Sequence, residues 1–88
     1  MTELESKTYA AEDATHSEVA RARNLWPTWP RDPIHAAAIV AEEAGELVKA
    51  CLQAKYQTGG ETLKDARKEA IQTAAMCLRF LSETEGVV

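Results

Sequence analysis

Two glutamates, Glu43 and Glu69, stand where the sequence otherwise presents apolar surface. Projected at 100° per residue, Glu43 falls among Ile39, Ala36, Leu47 and Ala50, and Glu69 falls between Met76 and Phe80. A carboxylate without a partner in such surroundings is costly or takes up a proton, so it is expected to be paired or to ligate a metal. Glu46 lies one turn from Glu42 and Glu43. Glu43 and Glu46 can therefore converge on one ion, while Glu42 and Lys49 read as the solvated side of the helix. On the later segment Gln72, at i+3 from Glu69, stands at the edge of an arc of Phe80, Thr73, Cys77, Ala70 and Leu81. Two helices that each push a carboxylate toward a shared core describe a divalent-cation site. Oxygen-only donors favour Mg2+, with Mn2+ as the substitute, over zinc, since no Cys or His falls at metal spacing.

These groups need helices to hold them, and the sequence supplies start and stop signals. Asp32-Pro33 opens a helix, because Asp accepts from free N–H groups and Pro at the first position sacrifices no bond. That helix is predicted over residues 33 to 56. Thr58-Gly59-Gly60 breaks it, and Thr62-Leu63-Lys64-Asp65 resembles a capping box that starts a third helix running to about Thr84, with Gly86 near its end. Ahead of them, residues 12 to 24 predict a shorter helix with a weak stripe of Val19, Ala20, Ala22 and Arg23, preceded by a flexible arm over residues 1–11. Leu25-Trp26-Pro27-Thr28-Trp29-Pro30 cannot be regular helix and should form a fixed strap. No alternating strand pattern, repeat or low-complexity segment is present. The fold class is all-α: two long antiparallel helices plus a shorter N-terminal one.

The second helix is apolar around almost its whole circumference, through Ile39, Leu47, Val40, Cys51, Ala44, Val48 and Leu52. One partner helix cannot cover that, so a second copy of the chain is the economical supplier and a helical bundle completed by oligomerisation is expected, as a homodimer or homotetramer. With 88 residues the chain is one domain, 1-88, and short enough that oligomerisation is a natural supplement to its core. The net charge of -4, with basic residues scattered, leaves no footprint for long nucleic acid. No apolar run approaches the length of a membrane span, and Met1 to Lys7 is too polar for a signal peptide, so a cytoplasmic protein with no membrane partner is expected. Cys51 and Cys77, each inside a helical apolar pattern, read as small core hydrophobes.

At this point the residues form a pattern that resembles the MazG-like all-α nucleoside triphosphate pyrophosphohydrolases. That family carries Glu-Glu-x-x-Glu on one helix and Glu-x-x-Asp on the next. The first half is present as Glu42-Glu43-Ala44-Gly45-Glu46; the second is Glu69-Ala70-Ile71-Gln72, with Gln in place of Asp. The resemblance covers about Ile34 to Leu81. It implies Mg2+ held by Glu43, Glu46 and Glu69 with Gln72 in the fourth place, and hydrolysis of a nucleoside triphosphate to a monophosphate and pyrophosphate. It further implies that a carboxylate of the Glu42, Glu43, Glu46 cluster orients the attacking water, so Glu42, Glu43, Glu46 and Glu69 form the expected catalytic set. Gln72 still offers a carbonyl oxygen but removes one negative charge, which weakens metal affinity; Asp65 or Glu42 are the available compensations.

Substrate contacts are less marked. Trp26 and Trp29 have faces on which a base can stack, although tryptophans beside prolines more often cap a core or an interface. His35 follows the helix start and serves either as a cap or as a substrate contact. Lys49, Lys64, Lys68 and Arg79 are phosphate contacts by charge, with solvent exposure the usual fate of such residues; Lys49 and Lys68 complete the expected substrate set with the tryptophans and His35. The alternatives to an enzyme are a MazG-like protein that binds nucleotide or metal with little or no turnover, and a helical module whose acidic face meets a protein partner.

Overall fold

A computed structural model of the chain describes residues 1–57 and 62–87. It contains three helices, α1 (Glu3–Leu25), α2 (Pro33–Tyr56) and α3 (Thr62–Glu83), and no strand among the described residues. The all-α expectation holds, and α2 occupies the range the sequence predicted. Its start is built as the Asp32-Pro33 signal requires: the Asp32 carboxylate accepts from the Ile34 N–H at 3.1 Å, with Pro at the first position. The Thr58-Gly59-Gly60 break and the Thr62 side chain of the expected capping box lie outside the described residues; α3 opens at Thr62 and ends one residue before Thr84. Gly86 takes φ +80, a left-handed geometry that suits glycine just past the helix.

The first helix differs from expectation. It begins at Glu3, not near residue 12, so the segment expected as an arm is helical. The cause is local: Thr2 Oγ1 accepts from the Glu5 N–H at 3.0 Å, and Glu5 Oε1 accepts from the Thr2 N–H at 3.1 Å, a reciprocal capping box. Residues 1–13 are nonetheless exposed along their whole length; α1 meets the rest of the protein only from Ala14 onward.

The packing order is α1 on α3 on α2, with no direct packing of α1 against α2 among the described residues. Ala37 and Val40 share a groove with Cys77 and Phe80, while Lys49 and Gln53 line another with Asp65 and Lys68, so α2 and α3 run antiparallel. Ser17 and Arg21 line a groove with Lys64 and Arg67, and Arg23 reaches Glu83, so α1 runs parallel to α3. The apolar core is made of small residues: Val19, Ala22, Ala36, Ala50, Ala66 and Ala75. The only fully buried large side chain among the described residues is Arg79.

By charge alone Arg79 is expected in solvent or against phosphate. It is instead 2% exposed and committed to protein partners. Its guanidinium donates to both Glu83 carboxylate oxygens, Nε at 2.8 Å and a terminal nitrogen at 3.1 Å, and also to the Trp26 carbonyl at 3.0 Å. It lies over the Trp29 ring at 4.8 Å from the centroid. Arg23 adds a bond to Glu83 at 3.0 Å, and Trp29 Nε1 donates to Thr84 Oγ1 at 2.8 Å. These bonds tie the tryptophan strap to the end of α3, as the two prolines required of a fixed connector.

Cys51 and Cys77 are exposed, not core residues. Both lie on outward surfaces of α2 and α3, and Val48, Leu52 and Leu81 are more than half exposed alongside them. The chain exposes 6402 Å², against about 5,100 Å² for a compact monomer of 9.6 kDa by the usual mass scaling. The helix that most needed cover thus has one neighbour within the chain.

Candidate functional site

The strap, α1, α2 and α3 enclose a cavity of about 760 Å³, within the range of small-molecule sites. Trp26, Thr28, Trp29 and Pro30 form its strap side. His35, Ile39, Glu42 and Glu43 come from α2, and Gln72, Met76 and Arg79 from α3. Helix α1 adds Glu18, Arg21 and Ala22. The clamp on Arg79 sets the strap side: Trp29 is half-buried in it, while Trp26 is 61% exposed at the edge.

Glu43 is the electrostatic centre. It is half-buried, and its proton affinity is raised above the ordinary carboxylate value, first by desolvation and then by repulsion from Glu69, Glu42, Glu46 and Glu18. Four carboxylates from three helices therefore act on Glu43. The side chains of Glu42, Glu43, Glu46 and Glu69 make no hydrogen bond or ion pair among the described residues. Glu18 differs: Arg21 meets it with two bonds of 2.8 Å.

The expected site residues divide between two places. Glu42, Glu43, Gln72, Trp26, Trp29 and His35 share the large cavity. Glu46, Lys49, Lys68 and Glu69 gather in a smaller depression of about 190 Å³ between α2 and α3, with Asp65 beside them. Glu43 couples the two, being repelled by members of both. Lys49 accordingly stands with the carboxylates of the second depression, and Lys68 lines both that depression and a groove on the α1 side of α3.

A hard divalent cation suits this donor set, since the free groups are carboxylate and amide oxygens whose mutual repulsion a cation relieves. The side chains are not gathered into a cage: no three His, Cys, Asp or Glu among the described residues stand together closely enough to hold an ion.

Sequence reasoning missed Glu18 and Arg21. Their i,i+3 spacing gave the appearance of an ordinary surface pair, and only the parallel packing of α1 on α3 brings them to the cavity. Met76 was visible in the apolar arc beside Glu69, without any sign that it would line a cavity. No protein-family model matches the chain, and neither does any curated protein or solved structure. No described helix is long and apolar enough to cross a membrane.

Proposed function

We propose that the chain is a MazG-like, Mg2+-dependent nucleoside triphosphate pyrophosphohydrolase that works as a homodimer or homotetramer. One observation carries this reading: an aromatic strap and an unpaired, half-buried carboxylate, Glu43, line the same cavity. A purine or pyrimidine requires a flat apolar face, and a triphosphate requires divalent charge near its α-phosphorus.

In this reading Trp26 and Trp29 contact the base, with His35 at the same cavity. Glu43, Glu46 and Glu69 would hold Mg2+ once their side chains draw together on it, with the Gln72 carbonyl as a neutral fourth donor. The ion, when bound, neutralises triphosphate charge and acidifies water. A carboxylate of the Glu42, Glu43, Glu46 cluster orients a water against the α-phosphorus and accepts its proton. The bond from the α-phosphorus to the bridging oxygen breaks, and pyrophosphate leaves with that oxygen while the monophosphate gains the water oxygen.

Oligomerisation is supported by the exposed apolar face of α2 and α3 and by the excess surface of the single chain. Light scattering at micromolar concentration should return at least a dimer; a stable monomer would remove this part of the proposal.

Gln72 favours a second reading, a nucleotide-binding member of the same fold with little turnover, because it removes one ligand charge. A pyrophosphate-release assay with Mg2+ and a panel of common and modified nucleotides separates the two. Release of pyrophosphate with monophosphate supports the enzyme, and Mg2+-dependent binding without product supports the silent form. Absence of both leaves a helical interaction module.

A further inference from the structure

A second groove, of about 470 Å³, runs between α1 and the first half of α3; its walls are largely apolar, and the charged residues along it are mostly basic. Arg21, Lys64, Arg67 and Lys68 line it, with Glu18 as its one carboxylate. Glu18 is already met by Arg21 through two bonds, so it offers little opposition to an anion. Arg67 and Lys68 are exposed and make no ion pair among the described residues. The groove also opens on the large cavity: Glu18, Arg21 and Gln72 belong to the walls of both.

We propose that this groove is a polyphosphate subsite, in which Arg67 and Lys68 hold the β- and γ-phosphates of the nucleotide whose base lies against the tryptophan strap. The identity of the nucleotide rests on the function proposed above; the affinity for a phosphate chain rests on the groove alone. A triphosphate placed wholly among the carboxylates around Glu43 would meet repulsion along its length. A tail that turns past Gln72 leaves only the α-phosphate beside the acidic cluster and brings the two distal phosphates to unpaired cations. Arg67 offers the planar fork that matches two phosphate oxygens, and Lys68 adds a point charge.

The test uses the full chain with Mg2+ present. Inorganic pyrophosphate, a non-hydrolysable α,β-imido nucleoside triphosphate and a nucleoside monophosphate are each titrated, with tryptophan fluorescence and calorimetry as readouts. The Arg67→Gln/Lys68→Gln double variant is compared with Lys7→Gln/Arg31→Gln, which loses the same charge at exposed positions outside the groove. The groove variant should bind pyrophosphate and the triphosphate analogue at least about tenfold more weakly, as expected for losing charged hydrogen bonds, and keep its monophosphate affinity. The control variant should match the parent.

Unchanged affinities in the groove variant overturn the proposal, as does an equal loss in the control, which would make the effect general electrostatics. Loss for pyrophosphate with an unaltered triphosphate analogue overturns the assignment of the groove to the substrate tail. A parent chain that binds pyrophosphate through these residues but no nucleotide supports the anion subsite while sinking the nucleotide reading. The two failures are therefore distinguishable.

Discussion

Two clusters of charge, one reaching a shared cavity through Arg79 and the other through Glu43, are built on contrary principles. Around Arg79 every charge is answered: Glu83 accepts from two arginines, the Trp26 carbonyl is satisfied, and the Glu83 carboxyl is held below the usual carboxylate range by its bonds to Arg79. Around Glu43 only Glu18 is answered, by Arg21, among the described residues: burial and repulsion from four other glutamates push the proton affinity of Glu43 up. A satisfied cluster fixes geometry, whereas an unsatisfied one is held in place by the fold and favours whatever brings positive charge. The first is the foundation of the tryptophan strap, and the second is where the proposed function puts its chemistry.

The largest effect should come from breaking the satisfied cluster. Arg79→Ala leaves Glu83 and the Trp26 carbonyl without their main partner and opens a void under Trp29. The expected destabilisation is about 3–5 kcal/mol, as for removing one member of a buried pair. Urea unfolding followed by tryptophan emission checks this; a loss below about 1 kcal/mol would mean the clamp does not fix the strap.

Glu43→Gln probes the opposite cluster and should invert the pattern. On the proposed function, Mg2+-dependent turnover should drop by more than about a hundredfold, while the metal-free protein keeps or gains stability because a repelled charge is gone. Parent-like turnover in both Glu43→Gln and Glu69→Gln would remove these carboxylates from the reaction.

Acid titration of stability sharpens the contrast, because the two shifts have opposite sign. Glu83 binds its proton less readily when folded, so its stabilisation is present above the unfolded carboxyl value of 4.5 and is lost as pH falls through its depressed native value. Glu43 binds its proton more readily when folded. Its contribution is therefore present below 4.5 and is lost as pH rises through its raised native value. Urea midpoints measured against pH should show Glu83→Gln flattening the acid limb, and Glu43→Gln removing the decline on the other side. The same sign in both variants would refute the distinction.

The smallest effect is expected at Gln72, which lines the cavity that holds Glu43. Gln72→Asp should raise activity severalfold at low Mg2+ and converge with the parent at saturation, with slightly lower stability when metal-free. Activity titrated against Mg2+ decides; an identical metal dependence and unchanged metal-free stability would point to Asp65 or Glu42 as the compensating ligand.

What could be seen beforehand was what local chemistry dictates. Asp32-Pro33 announced α2, and the apolar neighbours of Glu43 announced its strain, since both follow from positions within a turn or two. The capping box of Thr2 and Glu5 was also local, but no apolar stripe followed it, so a helix carried by its own hydrogen bonds went unread. Arg79 could not be placed from sequence, because its partner at Trp26 lies 53 residues away and becomes adjacent only when the strap folds back. The apolar pattern around Cys51 and Cys77 predicts an interior place only where that helix face is covered, and the single chain leaves it open.

The alanine core carries a further consequence. Helices that meet through methyl groups approach closely, and their separation changes with each carbon inserted between them. Ala36 on α2 and Ala75 on α3 are fully enclosed, so the gap between α2 and α3 is gauged by the smallest side chains available rather than by the residues facing it. Exchanging one alanine for valine or glycine would act like a shim, widening or narrowing the slot while leaving every acidic and aromatic group in place. Selectivity for the size of an occupant can therefore drift through positions that never touch it.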